Sequence, residues 1–256
     1  MPRHKPLQDG AGWAKVGAML MLSHSARAVL TLVALLAGPA TALAADETPN
    51  PCTQDAMIVF DASGSMSGNM VQGLFSATTR IDEVRKALEY VLPGVSRLRR
   101  IGLITYGPGP YQQCNVALNL PPTPNAAKRI MRVVNVIDPA GKTPLVAGVE
   151  RAAEVLNYKS KPGVVVLLTD GEETCGGQPC DLGKMLKENS QVTVHVIGFK
   201  LKAFSWTGAQ SILDVKCLAK ETGGLYISTK NREELIQAFE KTLGCPMMSS
   251  RSPVLR

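Results

Sequence analysis

Short, almost wholly apolar runs alternate along this chain with longer stretches in which apolar residues recur every three or four positions. The first kind of pattern predicts buried strands and the second amphipathic helices. Strands are expected at Met57–Phe60, Ile101–Tyr106, Cys114–Leu120, Val164–Thr169, Val192–Gly198 and Leu225–Ser228. Helices are expected at Arg80–Leu92, Ala126–Ile137, Pro144–Asn157, Asp181–Asn189, Ser211–Glu221 and Arg232–Leu243. Thr79 with Asp82, and Asn231 with Glu234, have the spacing of helix-capping pairs. Pro144 suits the first position of its helix. Gly-Pro-Gly-Pro at 107–110 ends the second strand, and a two-proline loop follows the third. Val164–Thr169 has no polar alternation, as expected of a central strand covered on both faces. Strands that alternate with helices in this way predict an α/β domain, from about Asp55 to Cys245, with a mostly parallel sheet between helices.

Two of these strands end on acids. The first runs into Asp61-Ala62-Ser63-Gly64-Ser65, and the central one into Thr169-Asp170-Gly171. In open α/β sheets, sites form at the carboxyl ends of strands where the strand order reverses. If these strands are neighbours there, Asp61, Ser63, Ser65 and Asp170 meet, and Thr143 can join them from the loop before a helix. Two carboxylates and three hydroxyls are a hard, all-oxygen donor set. It suits Mg²⁺, with Ca²⁺ or Mn²⁺ as alternatives, rather than zinc. Hydroxyls carry no charge, so two acids leave a divalent ion open to a carboxylate from a partner.

Phe60-Asp61-Ala62-Ser63-Gly64-Ser65-Met66 resembles the Asp-x-Ser-x-Ser motif of von Willebrand factor type A domains, which in that family forms the metal-ion-dependent adhesion site. Gly141-Lys142-Thr143-Pro144-Leu145 is similar to the family's threonine loop, and Leu168-Thr169-Asp170-Gly171 to its second acidic loop. Thr174-Cys175, Cys180, Cys217-Leu218-Ala219 and Thr222-Gly223-Gly224 look like features of bacterial secreted members. The resemblance implies a three-layer, Rossmann-like fold. It also implies direct metal binding by Ser63 and Ser65, direct or near-direct binding by Thr143, and water-mediated roles for Asp61 and Asp170.

Composition adds a compartment. Arg27, the apolar run Ala28–Ala40 and Ala42-Leu43-Ala44 read as a signal peptide over 1–44, cut after Ala44, with Met19 or Met21 as alternative starts. The run is short for a bilayer span of ~20 residues, so the membrane enters only if the segment stays uncleaved as an anchor. Loss of Arg3, Lys5, Lys15, Arg27 and Asp9 lowers the formal net charge from +7 to +4. Residues 45–54 read as a linker and 246–256 as a flexible polar tail. Arg97, Arg99 and Arg100, without interleaved aromatics, read as a solvated turn, and no nucleic-acid partner is expected. All six cysteines follow the signal segment, which suits disulfides in the periplasm or outside the cell. Cys175 and Cys180 flank a loop they can staple, and Cys52 and Cys245 bracket the domain. Cys114 and Cys217 remain, paired or free.

Other chemistries fit less well. Gly141-Lys142-Thr143 lacks the glycine of a phosphate loop, since Val136 stands there. An aspartate-nucleophile phosphatase needs a second acid where Ser63 stands. His195 lies within a strand, and no nucleophile elbow stands near it. Cys175 and Cys180 lack a second pair for zinc. Glu172 and Glu173 form either a solvated loop face or a rim that selects a partner. Met66 and Met70 read as packing or loop residues. The leading function is therefore an exported, non-enzymatic module that binds a protein Asp or Glu through a cation. A metal-dependent hydrolase and a structural domain with an empty site are the alternatives. Protein recovered after export should begin at Ala45, read by intact mass, whereas an unprocessed N-terminus means an anchor.

Overall fold

The structure, a computed structural model, describes residues 52–68, 78–110, 112–201 and 206–245, without the side chains of 206–212. The expected signal segment, most of the linker, Met70 and the tail lie outside these residues.

The described strands are β1 (Ala56–Asp61), β2 (Ile101–Tyr106), β3 (Val116–Thr123), β4 (Gly163–Thr169), β5 (Val192–Phe199) and β6 (Tyr226–Thr229). The described helices are α1 (Arg80–Val95), α2 (Ala127–Val134), α3 (Leu145–Val155), α4 (Pro179–Asn189), α5 (Trp206–Glu221) and α6 (Arg232–Leu243), with a 3₁₀ turn at Gly64–Ser67. The strands form one sheet in the order β3-β2-β1-β4-β5-β6, with all pairings parallel except β2–β3. The expected mostly parallel, three-layer α/β architecture is the one observed.

β1 makes the layering explicit, because every residue in it is buried. Ala56, Ile58 and Phe60 join one core with Leu88, Leu92, Ile130 and Phe239, from α1, α2 and α6. Met57 and Val59 join the other with Val149, Leu186 and Leu218, from α3, α4 and α5. Successive side chains of a strand point to opposite faces, so an unbroken apolar run feeds both cores. Each fully buried Leu, Ile or Phe contributes about 1.5–3 kcal/mol.

Several boundaries differ from expectation, each for a local reason. β3 continues through Pro121 and Pro122, where a loop was expected. It is an edge strand, where a residue without an N–H is tolerated, and its register with β2 shifts between Ile101 and Ile104. α3 begins at Leu145, with Pro144 at the cap position, and stops short of Asn157, which takes a left-handed φ of 57°. α5 begins at Trp206, five residues earlier than the pattern from Ser211, because Thr207 and Gly208 are weak helix formers that hide its start. α1 has the expected capping box, Thr79 and Asp82 each accepting from the other's backbone N–H. The Asn231 side chain accepts from Glu234 N at 2.9 Å.

The cysteines correct one expectation. Cys52 pairs with Cys245, joining the two ends of the domain. Cys175 and Cys180 do not staple their loop: Cys114 pairs with Cys175, and Cys180 with Cys217. Cys180 is in the first turn of α4, which packs along α5 and so faces Cys217, while Cys175 lies in the loop beside the β2–β3 connection. Non-reducing tryptic mapping should find the peptide that carries both Cys175 and Cys180 joined to two others, one with Cys114 and one with Cys217. That peptide recovered alone, bridged internally, would contradict the pairing.

Candidate functional site

The chain lays β2 and β3 to one side of β1, and β4, β5 and β6 to the other. The order therefore reverses between β1 and β4, which pair with Phe60 opposite Leu168. Asp61 and Thr169-Asp170 leave the sheet side by side at this point. Three loops converge there: Ala62–Ser65, Gly141–Thr143 and Asp170–Cys175.

Asp61 is wholly buried. One of its oxygens accepts Ser63 N at 2.8 Å. The other accepts the Tyr106 hydroxyl at 2.9 Å, the Thr169 hydroxyl at 3.0 Å and Asp170 N at 3.4 Å. Asp170 accepts the Ser65 hydroxyl at 2.6 Å on one oxygen and the Arg80 guanidinium at 2.5 Å on the other. The Ser63 and Ser65 hydroxyls are 3.0 Å apart. A methyl group at Gly171 would lie 3.7 Å from the Ser65 hydroxyl and 3.9 Å from that of Thr143. All five residues singled out in the sequence therefore come together around one small volume, and Ser63, Thr143, Asp61 and Asp170 are buried.

Tight loop packing holds the arrangement. Gly64 N donates to Gly141 O at 3.0 Å, and Gly141 N to Gly107 O at 2.8 Å. Gly107 has a φ of 74°, and a Cβ there would fall 2.5 Å from Lys142 O and 2.8 Å from Ser63 Cα. Only glycine permits so close a meeting of the three backbones. Thr143 N donates to the Thr174 hydroxyl at 2.8 Å, and Thr174 N to Thr143 O at 3.1 Å. The Cys114–Cys175 disulfide ties the same loop to the β2–β3 connection.

Glu173 is half-buried and engaged within the protein. Its carboxylate accepts Val146 N at 2.9 Å and Cys175 N at 2.7 Å, so it caps the start of α3 and closes its own loop. Glu172 is half-buried. Met66 is fully buried in the core on the α1 side. His195 lies in β5, and its Nδ1 accepts Leu225 N at 3.0 Å, a structural role away from this cluster. Among the described residues, no three His, Cys, Asp or Glu side chains form a metal cluster. The donor set here is two carboxylates with three hydroxyls.

Sequence reasoning missed Arg80 and Tyr106. Tyr106 is the last residue of β2, level with Asp61, but nothing in its surroundings in sequence points to that acid. Arg80 carried a signal: it opens α1, where the helix dipole disfavours a cation. A basic residue in that place needs an acid from elsewhere, and Asp170 is that acid.

Both acids are held above the ordinary carboxylate range. Burial, and then the Asp170 charge, push Asp61 up to about 6. Burial likewise raises Asp170, against the opposing effects of Ser65 and Arg80. Burial next to these acids keeps the Tyr106 hydroxyl protonated and donating.

Residues 56–173 match the von Willebrand factor type A domain model. The chain is 26% identical over 214 residues to the uncharacterized protein YwmC of Bacillus subtilis, covering 80% of this chain and 89% of that one. Among solved structures, it is similar to the vWF domain of the type V pili tip protein Mfa5 from Porphyromonas gingivalis. That match has a TM-score of 0.56 and 12% identity, covering 80% of this chain and 98% of the other. Proximal thread matrix protein 1 from the mussel byssus, described with a zinc-occupied MIDAS motif, matches with a TM-score of 0.53 and 19% identity. It covers 76% of this chain and 46% of that one. At these identities the structural likeness speaks to the fold.

A carboxyl group whose pKa is raised by folding opposes stability once it ionises, so the penalty from Asp61 grows as pH rises from about 4 through 6 and is constant above. His195, lowered to about 4 by burial and by Arg99, acts in the other direction, with stability lost as pH falls from 6.5 through 4. The two cancel in part, so the useful quantity is a difference. In chelator-treated buffer, the urea stability of Asp61→Asn minus that of the native protein should rise by about 2 kcal/mol between pH 4 and 7, then level off. A flat difference would mean that Asp61 is not destabilised by its surroundings.

Proposed function

Since this chain carries a von Willebrand factor type A domain, we propose that it is an exported, non-enzymatic binding module that presents one divalent cation to a carboxylate of a protein partner. The observation that carries this reading is the buried acid pair, Asp61 and Asp170, whose charges are under-compensated beside three converging hydroxyls.

Those residues fit a hard cation. Ser63, Ser65 and Thr143 supply neutral oxygens. Asp170 supplies an oxygen shared with Ser65. Asp61 is held by four donors and so acts mainly as a fixed negative charge behind the site. An all-oxygen set of this kind favours Mg²⁺ or Mn²⁺, then Ca²⁺, over zinc. When bound, such an ion supplies a Lewis-acidic position for an incoming carboxylate oxygen. The chain's own part is to hold the hydroxyls, exclude water from behind Asp61, and keep the three loops from separating.

Two observations favour binding over hydrolysis. A hydrolase needs a base to activate water. Glu173 is engaged with two backbone N–H groups, and His195 with Leu225. Paired cysteines support export, since disulfides persist in oxidising compartments. Among the described residues, no helix is long and apolar enough to cross a membrane.

Calorimetry of the purified protein with Mg²⁺, Mn²⁺, Ca²⁺ and Zn²⁺ tests the reading. One equivalent of Mg²⁺ or Mn²⁺ should bind. Asp61→Ala and Ser65→Ala should each weaken binding at least about tenfold, which is ~1.4 kcal/mol, with the circular dichroism spectrum unchanged. A folded native protein that takes up none of these ions, alone or with acetate, would remove the basis for the proposal.

A further inference from the structure

Four carboxylate oxygens face the cluster, and three of them are committed to neutral donors. Both Asp61 oxygens accept from Ser63, Tyr106, Thr169 and the Asp170 backbone. One Asp170 oxygen accepts the Ser65 hydroxyl. The fourth oxygen is taken by a full positive charge, the Arg80 guanidinium. This is no loose surface pair, since the Asp170 side chain is wholly buried and that of Arg80 is 11% exposed. It also forms where helix α1 begins, so the guanidinium holds its place against the helix dipole.

Two acids and one guanidinium leave the cluster with a single net negative charge. A divalent cation added to it leaves one positive charge uncancelled in a site largely shielded from water. Without Arg80 the same cation would be neutralised by the two acids alone.

We infer that Arg80 makes the cation site depend on an outside carboxylate, by keeping Asp170 half-compensated so that metal and acidic partner bind cooperatively. This rests on the cation-binding reading given above. The role is one of positioning and charge: Arg80 acts through Asp170 rather than by touching the ligand. Two consequences follow. The free protein holds its metal weakly, and a carboxylate tightens that hold. By thermodynamic reciprocity, the metal tightens the carboxylate by the same factor.

The test uses Mn²⁺ and acetate as probes on the native protein, Arg80→Gln and Arg80→Lys, with circular dichroism to check each fold. Without acetate, Arg80→Gln should bind Mn²⁺ about tenfold or more tighter than the native protein, because a unit charge within a few ångströms of the ion is gone. Saturating acetate should tighten Mn²⁺ binding several-fold in the native protein and little in Arg80→Gln. Arg80→Lys keeps the charge without the planar fork, and should stay within a few-fold of native. If native protein binds Mn²⁺ and Arg80→Gln binds it no tighter, or acetate leaves native affinity unchanged, the role of Arg80 is overturned while the cation reading stands. The acetate arm on native protein decides the matter even if Arg80→Gln fails to fold. If neither native protein nor Arg80→Gln takes up Mn²⁺, with or without acetate, both readings fall together.

Discussion

Asp61 has no solvent-accessible surface, so each hydrogen bond its carboxylate needs must come from the protein, and that requirement organises the carboxyl edge of the sheet. The donors arrive from three strands or their ends: Tyr106 from β2, Thr169 and Asp170 from β4, and Ser63 just past β1. They reach one side chain only because β1 is paired with both neighbours in a fixed parallel register. A buried acid left with fewer donors would cost several kcal/mol. Here four donors hold it in place, yet burial and Asp170 still push its pKa upward. The core beneath supplies the stability that lets this acid remain.

The second layer of construction keeps the loops close. Gly107 and Gly141 let three backbone segments meet at distances no side chain would allow. Glu173 spends its charge on the start of α3 and on its own loop, and Cys114–Cys175 closes the same side covalently. None of these groups belongs to the donor set itself. Their work is to fix Thr143 against Ser63 and Ser65, so that the hydroxyl oxygens stand together before any ligand arrives. Preorganisation of this kind lowers the ordering cost of binding.

Charge is also what supports the proposed reading of the site as one that binds rather than one that reacts. The acids are poorly compensated, the hydroxyls are neutral, and the two groups best suited to move a proton are occupied elsewhere. Arg80 offsets one acid but not both. In the proposed function, what completes the balance is a metal ion followed by a partner's carboxylate.

Much of this was legible in the residues alone. The apolar runs at Met57–Phe60 and Val164–Thr169, each ending on an acid, located the sheet's central pair and the reversal between them, because chain connectivity constrains where parallel strands can lie. Asp61, Ser63, Ser65 and Asp170 could be named because they follow directly on strands whose pattern was clear, and Thr143 because it stands just before a helix. What was not legible depended on distances between segments far apart in sequence. Cys175 and Cys180 are close along the chain, but the packing of α4 on α5 and of the loop on the β2–β3 connection gave each a different partner. Nothing in the sequence around Glu173 shows that its carboxylate reaches the start of α3. Arg80 and Tyr106 meet the site from 90 and 45 residues away. Local pattern determines which elements form and which face is buried, since those depend on near neighbours. Charge balance and covalent pairing belong to the tertiary structure, since both depend on which distant side chains a shared burial brings within a few ångströms.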